Sequence, residues 1–450
     1  MLPENGILNE RVGEEKAATI SSEKRSGERT EGVYNNLVWE KILTRQYYQI
    51  ALSFDKIIQA SMDSIVLSIL CSLPALCSGA TVSQVKDAKG RPIILFFAYF
   101  ARSGMGKSVL ANTARKYLLY WLDDQYSKAE RKSKDSVFPD VFLDAASAEG
   151  FEQSIFAKSA IHYFLDEYGK FYRASKNDTV KASLLRALMQ IFDSGVLITR
   201  KLKDSKRSQH LMVQGMGLYA ASTIGPSNLT QSDMRDMISD GMLNRFLVIF
   251  GEFKEIPIRQ ELSKTDAESI EQFARTFHEY ASGKSFYLGV EATKIYEQFH
   301  KAINTRFRQK YDIFDDTAGF EIRLLTIVQR IAMLLQVCIN IENTSPHIIE
   351  ISANAMERAV QMLTYLHQKH FQQVLKYASE KHGKSSLEDK IKKQLSKGES
   401  MGLRTIVRNV SPATTAEVQS ILDHLVEIGH AYKSADNTYT KRVTDTDKRV

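Results

Sequence analysis

The segment ARSGMGKS, residues 101–108, has the residue types and spacing of a phosphate-binding loop, with alanine in the position where glycine is usual. Glycines let backbone N–H groups turn towards phosphate oxygens, and the start of a following helix adds a positive end. We therefore expect Lys107 to reach the β- and γ-phosphates of ATP and the hydroxyl of Ser108 to ligate Mg²⁺. The residues expected to contact the nucleotide are Ala101, Arg102, Ser103, Gly104, Met105, Gly106, Lys107, Ser108 and Val109.

Acidic candidates follow the apolar run in AIHYFLDEYG. Asp166 would hold the Mg²⁺ shell, and Glu167 would polarise the attacking water. Glu149, which comes just after the strand-like VFLDA, is a competing candidate for the base, although it could instead be a first-turn glutamate at the positive end of a helix. We favour Glu167.

Two further candidates lie downstream of these acids. The run GLYAAST ends in Ser222-Thr223, and Thr223 either senses the γ-phosphate by holding the water or caps the following turn. Arg245 immediately precedes the apolar run FLVIF. It is interpreted as an arginine that enters a neighbouring subunit's nucleotide site, with a surface ion pair as the alternative.

These candidates need a parallel sheet to position them. The run IILFFAYF is short, continuously apolar and bounded by turn residues, which predicts a strand buried on both faces. Strands and helices then alternate, which predicts an α/β fold: a P-loop NTPase core of the RecA or AAA type with a largely parallel sheet. The region from 256 to 380 is mainly helical in pattern, with few strand signals.

Two segments are candidates for contact with DNA. In VLITRKLKDSKRSQHLMV, two short apolar runs flank a turn, which predicts a β-hairpin with a basic tip that could track a phosphate backbone. Its basic residues are Arg200, Lys201, Lys203, Lys206 and Arg207. A solvated surface turn is the alternative interpretation.

The C-terminal segment predicts three helices followed by two short strands, which is the layout of a winged helix. Its candidate DNA contacts are Thr414, Thr415 and Gln419 on the third helix and Lys433, Lys441 and Arg442 on the wing. Protein contact is the alternative role. The predicted domains are a flexible tail (1–35), an N-terminal helical segment (36–90), the ATPase core (91–255), a helical subdomain (256–380) and a winged-helix DNA-binding domain (384–450).

Composition limits the class of protein without naming a function. The 450 residues carry a net charge of +7 and are 43% hydrophobic and 25% charged, which is ordinary globular usage. The three cysteines show no metal-type spacing and favour a reducing setting. The apolar stretch 61–82 contains Asp63 and Pro74 and is interpreted as a buried helix, not a membrane span. We expect a cytoplasmic protein without a signal peptide or membrane partner.

The segments GMGKS, DAASAEG, FLDEYG, DGMLNRF and RIAMLLQV together resemble a family of mobile-element and prophage P-loop ATPases. That family is largely classified under a domain of unknown function and is related to plasmid and phage replicative helicases; the resemblance covers roughly residues 50–375. It implies DNA-dependent ATPase or helicase activity in a ring of subunits, expected to be a hexamer. It transfers nucleotide-site roles to Lys107, Ser108, Asp166 and Arg245, and Ala101 is its one departure.

The leading hypothesis is an oligomeric, ATP- and Mg²⁺-dependent DNA motor, a replicative helicase of a mobile element that translocates on single-stranded DNA. One rival is a DNA-binding switch or loader ATPase that does not unwind. A second is a small-molecule phosphotransferase, which would need neither the arginine supplied in trans nor a DNA-binding module. Strand displacement separates the motor from the switch.

Overall fold

A computed structural model of the chain describes residues 39–58, 60–125, 142–143, 161–198, 210–225, 228–251, 261–312, 317–379, 391–392, 394–395, 400–410, 414–427, 431–434, 436 and 438–441. Its helices are α1 (Arg45–Ile58), α2 (Met62–Ser72), α3 (Lys107–Ala114), α4 (Tyr168–Ser175), α5 (Thr179–Ser194), α6 (Gln231–Ser239), α7 (Lys264–Ala281), α8 (Val290–Asp312), α9 (Ala318–Glu342), α10 (Ala353–Leu366), α11 (Gln372–Ser379), α12 (Leu403–Asn409) and α13 (Thr415–Glu427). Its strands are β1 (Thr81–Ser83), β2 (Arg91–Ala101), β3 (Phe142–Leu143), β4 (Ile161–Leu165), β5 (Val196–Ile198), β6 (His210–Met212), β7 (Gly215–Thr223), β8 (Phe246–Phe250), β9 (Ser285–Leu288), β10 (Glu350–Ile351), β11 (Met401–Gly402), β12 (Ala431–Lys433) and β13 (Thr438–Lys441).

The central sheet is mixed but mostly parallel, as the sequence predicts. Strands β8, β2, β7, β4 and β3 lie side by side in that order and all run in the same direction. Every residue of β2 after Arg91 is buried, because neighbouring strands cover its edges and helices cover its faces. Parallel strands carry their carboxyl ends to one edge of the sheet, so the segments that follow β2, β4 and β7 meet there.

Three short strands extend this sheet beyond the predicted core. β1 pairs antiparallel with the first residues of β2, β9 pairs parallel with β1, and β10 pairs parallel with β9. β1 lies within the segment expected to be helical, and β9 and β10 lie within the region where few strand signals were found. Only two to four residues long, these strands depend on partners far along the chain.

The longest of the described helices, α9, packs inside the protein along most of its length. Among the described residues it is the single helix that is long and apolar enough to cross a membrane, but 89% of its most apolar window is buried inside the protein. All eleven residues of α2 are buried as well, in agreement with the prediction that this stretch is a core helix.

The chain divides into two units, Met1–Leu375 and Lys376–Val450. The second unit contains the helices α12 and α13 and a small antiparallel sheet in the order β11, β13, β12. Its own apolar core consists of Ile391, Leu395, Met401, Ile406, Val410, Val418, Leu422, Leu425, Ala431 and Tyr439.

Candidate functional site

The phosphate-loop segment turns between the end of β2 and the start of α3. Gly104 and Gly106 both have positive φ, +82° and +64°, and a Cβ at either position would meet no atom within 4 Å. Backbone conformation, not lack of space, therefore calls for glycine here. Gly106 is the residue directly before α3, so the turn ends at the N-terminus of a helix, as the motif predicts.

Lys107 is the first residue of α3, and its ammonium group folds back onto the loop. Nζ donates to the carbonyl oxygens of Ala101 (3.2 Å) and Arg102 (2.7 Å), and the residue is 8% exposed. Burial lowers the pKa of Lys107, and the nearby Asp166 carboxylate opposes that shift. The ammonium is thus held at the loop by two neutral carbonyl oxygens. A phosphate oxygen, which is charged, would bind it more strongly than either of them.

Ser108 and Asp166, 58 residues apart, are in direct contact. The hydroxyl Oγ of Ser108 donates to Oδ2 of Asp166 at 3.0 Å, and Oδ1 accepts from the backbone N–H of Glu167 at 2.9 Å. A hydroxyl and a carboxylate are the hard oxygen ligands that Mg²⁺ prefers, and Mg²⁺ commonly takes the rest of its shell from water and substrate phosphates. The pair predicted as metal ligands therefore fits that ion.

Glu167 has an unusual backbone. Its φ and ψ are +52° and +37°, the left-handed region that non-glycine residues rarely adopt, and it precedes the first residue of α4. Its exposed carboxylate forms an ion pair with Lys170 at 2.7 Å. The competing base, Glu149, lies outside the described residues, so the choice between the two remains a prediction.

The strand that carries Ser222 and Thr223 lies between the two motif strands, with β2 on one side and β4 on the other. Thr223 is paired in register with Ala101 and is partly exposed, so it stands at the same sheet edge as the loop. Ser222 is 1% exposed, and its Oγ accepts the backbone N–H of Gly169 at 3.0 Å. Ser222 thus anchors α4. The carbonyl oxygen of Thr223 accepts the backbone N–H of Leu229 at 3.1 Å in the turn that follows, and a role for its side chain at the γ-phosphate stays a prediction.

Sequence reasoning missed Tyr219, four residues before the end of the same strand. Its buried hydroxyl donates to the carbonyl oxygen of Lys107 at 3.0 Å, tying β7 to the first residue of α3. A tyrosine within an apolar strand gives no signal of this role. Its contact depends on β7 lying next to β2.

Arg245 is not brought to the phosphate loop of its own chain. It precedes Phe246, which is paired in register with Phe96, five residues before the end of β2. The guanidinium is 8% exposed and forms a two-pronged contact with Asp193, Nη2–Oδ2 2.5 Å and Nε–Oδ1 3.2 Å; Nη1 also donates to the carbonyl of Gly241. Within one chain Arg245 is a buried ion-pair partner of Asp193, whereas the alternative in the sequence analysis was a surface ion pair. Its entry into a neighbouring subunit's nucleotide site stays a prediction.

The predicted hairpin is present at its base. β5 and β6 pair antiparallel from Val196–Met212 to Ile198–His210. The basic residues of the tip lie outside the described residues, so their contact with DNA stays a prediction: Arg200, Lys201, Lys203, Lys206 and Arg207.

The candidate DNA-contacting residues of the second unit differ in exposure. Thr414 and Thr415 are exposed at the start of α13, and Lys433 is exposed on β12 above the ring of Tyr439 (5.6 Å). Gln419 is engaged inside the unit, because its Nε2 contacts Oδ1 of Asp423 (2.7 Å) and the hydroxyl of Tyr439 (2.9 Å). Lys441 ends β13, and Arg442 lies outside the described residues.

No family model matches the chain, and no curated protein is similar to it. Among solved structures it is similar to a crystal structure of a full-length MCM homolog from Methanopyrus kandleri, with a TM-score of 0.40 and 13% sequence identity. The match covers 77% of this chain and 62% of that protein. The similarity is too distant to assign the chain to a family.

Proposed function

We propose that the chain is an ATP- and Mg²⁺-dependent ATPase that acts on DNA as a ring-forming motor, of the replicative-helicase kind found in mobile elements. The observation that supports this proposal best is the contact between Ser108 and Asp166 at 3.0 Å. It joins the phosphate loop to the acidic strand end, which is the arrangement that phosphoryl-transfer enzymes of this class require.

The remaining residues of the site have roles that follow from their positions. Lys107 leaves its two carbonyl acceptors and pairs with the phosphates, which the loop N–H groups also bind. Bound Mg²⁺ would neutralise charge that develops on the phosphate oxygens. Glu167 follows Asp166 directly and orients the attacking water once its carboxylate leaves Lys170.

Arg245 supports a site shared between copies of the chain. An arginine acting on phosphate needs to reach the transferring group, and this one lies behind the sheet edge that carries its own loop. In a ring, the Arg245 of one copy would leave Asp193 and enter the adjacent nucleotide site. The basic hairpin and the second unit would supply the contacts with single-stranded and duplex DNA.

The test is ATP hydrolysis by Lys107→Ala, measured with and without single-stranded DNA. We expect the variant to lose hydrolysis by at least about a hundred-fold, because electrostatic stabilisation of the transition state is a large term in such enzymes. Thermal unfolding should stay close to the wild type, since the ammonium contacts only loop carbonyls. The matched control is Lys116→Ala, which removes an exposed lysine from the turn that continues α3 and should hydrolyse ATP normally. Normal turnover by Lys107→Ala would remove the proposal.

A further inference from the structure

A cavity of about 520 Å³ lies at the amino-terminal end of β2, between the β1–β2 turn and the helices α8 and α9. Three cations line it: Lys89 and Arg91, which are both exposed, and Arg323, whose side chain is 33% exposed. Five polar residues and five apolar ones complete the wall, and within the described chain its lining contains no Asp or Glu. Those polar groups are Ser83, Gln84, Tyr296, Thr326 and Gln329.

The positive charge of this cavity continues into the protein behind it. Arg330 is fully buried and donates to the carbonyls of Ile94 and Phe192, at 2.8 Å each. Burial and the repulsion from Arg91 lower its pKa to about 9, against the opposing effect of Asp193. The positive charge of Arg91, on the cavity wall, therefore acts on Arg330 in the protein behind it.

Asp193 is the acidic residue that faces these arginines. Its carboxylate contacts Arg323 (Nε–Oδ1 3.3 Å) and is shared with the guanidinium of Arg245. One carboxylate divided between two arginines leaves the cavity with an excess of positive charge, which an anionic ligand would balance.

The cavity is distinct from the nucleotide site. Arg91 begins β2 and Ala101 ends it, so the eleven residues of the strand separate the cavity from the phosphate loop by roughly 33 Å at about 3.3 Å per residue. The cavity instead lies beside the root of the basic hairpin. A Cβ on Gly195, directly before β5, would come within 2.2 Å of Cγ of Pro92, the residue after Arg91.

We propose that this cavity binds phosphate groups in the backbone of a single-stranded nucleic acid that also contacts the hairpin. The inference rests on the proposed function, because it takes the hairpin as a DNA contact. Three cations around an open space with five further polar side chains and no acid suit phosphodiester oxygens, which are recognised without regard to base sequence. In this proposal the exposed Lys89 and Arg91 contact the nucleic acid directly. Arg323, on α9, adds a third positive charge to the cavity wall.

The test compares the double variant Lys89→Gln/Arg91→Gln with the wild type in binding a fluorescein-labelled oligothymidylate of twenty nucleotides. Loss of two phosphate contacts should lower the slope of log affinity against log salt by about 1.4, or about 0.7 for each contact, and weaken binding roughly ten-fold near physiological salt. The matched control is Lys86→Gln, a lysine of the same turn that lies outside the cavity lining and should bind like the wild type.

Three outcomes would overturn the proposal. The first is a double variant with the wild-type salt slope, and the second is an equal loss in Lys86→Gln, which would indicate a general charge effect. The third is a loss of affinity for a fluorescent ATP analogue or for pyrophosphate while oligonucleotide binding is kept, which would assign the cavity to small phosphate compounds. Thermal unfolding of each variant checks that it is folded. Failure of the proposed function would be seen in a different experiment, in which Lys107→Ala still hydrolyses ATP at the wild-type rate.

Discussion

Glu321, which is 1% exposed, contacts a group of titratable side chains outside the phosphate-loop segment. Lys310 lies 3.0 Å and Arg306 3.4 Å from its carboxylate oxygens, and Nε2 of His367 lies 3.6 Å away. Burial lowers the pKa of His367 to about 4; Glu321 opposes this shift, and the charges of Arg306 and Lys310 add to it. The imidazole is therefore neutral in the folded protein at neutral pH.

This group predicts a loss of stability in mild acid. The pKa of His367 is about 4 in the folded protein and about 6.5 for an ordinary histidine, so between these values the unfolded chain binds more protons and stability falls as pH falls. The full effect is on the order of 3 kcal/mol. In urea unfolding from pH 7 to pH 4, His367→Gln should lose less stability than the wild type. The exposed His347→Gln is the control, and parallel curves for His367→Gln and the wild type would contradict the assignment.

At the scale of residues, the sequence predicts contacts between side chains that belong to spaced motifs. Lys107, Ser108 and Asp166 have the expected types, and their contacts require only that two parallel strands end at one edge. The partners of Arg245 and Ser222 could not be predicted in this way. Asp193 belongs to no motif, the segment FLDEYG does not indicate which group its Gly169 contacts, and both contacts depend on how helices pack against the sheet.

Close approach of α2 to the sheet sets the position of β7. A Cβ on Gly217 would fall 1.8 Å from the carbonyl oxygen of Cys71, near the end of α2. The helix backbone thus lies directly on the strand backbone at this point, with no side chain between them. Separations that short cannot be relieved by rotating a side chain, so one element would have to move.

Gly217→Ala should therefore destabilise the protein by about 3 kcal/mol or more, because overpacking here displaces backbone. It should also weaken the proposed ATP hydrolysis, since β7 carries Tyr219 and Thr223 to the sheet edge where the phosphate-loop segment lies. Gly402→Ala is the matched control, because a Cβ there meets nothing within 4 Å. Urea unfolding measures both variants, and equal stabilities would show that α2 yields easily.

Elements were predictable to the extent that their own residues determine them. Strands β2 and β7 are long apolar runs that would be buried in any arrangement, and the helices show the expected spacing. β1, β9 and β10 pair across large separations, such as Thr81 with Ser285. Segments of two to four residues carry too little periodicity to reveal that pairing.

Asp63 ties together distant parts of the first unit. Its carboxylate is 1% exposed and accepts from Trp39 Nε1 (2.5 Å), Tyr365 Oη (3.0 Å) and Lys369 Nζ (2.9 Å), and Nε2 of His370 lies 2.8 Å away. Burial alone would raise the pKa of Asp63, but His370 and Lys369 outweigh it and lower that pKa to about 2. The carboxylate is therefore ionised above about pH 4.

Replacing this charge should affect the whole unit. Asp63→Asn keeps the shape but removes the buried anion on which Trp39, Tyr365, Lys369 and His370 converge, and we expect a loss of about 3–5 kcal/mol in the free energy of unfolding at pH 7. The difference from the wild type should shrink as pH falls from about 4 towards 2, where Asp63 itself becomes protonated. Asp87→Asn, in an exposed turn, should change stability by less than about 0.5 kcal/mol. A wild-type value for Asp63→Asn would contradict this role.

Contacts that join distant parts of the first unit are the hardest to predict from sequence. In the sequence, Asp63 is visible only as a polar residue within an apolar stretch, but its partners on α10 and the turn after it lie 302 to 307 residues away. Contacts of that range are set by the packing of the entire unit. The sequence pattern predicts the sheet and the helices that cover it. Tertiary packing determines which polar groups contact one another between these elements.

Glu167 has a consequence for redesign of the chain. A non-glycine residue in the left-handed region costs on the order of 1 kcal/mol, and glycine would adopt the same backbone without that penalty. A procedure that optimises thermal stability alone would therefore replace Glu167 with glycine and remove the carboxylate beside Asp166. With the role proposed for Glu167, stability and activity would favour different residues at this position. A thermostable version of the protein should keep its strained glutamate and gain its stability elsewhere.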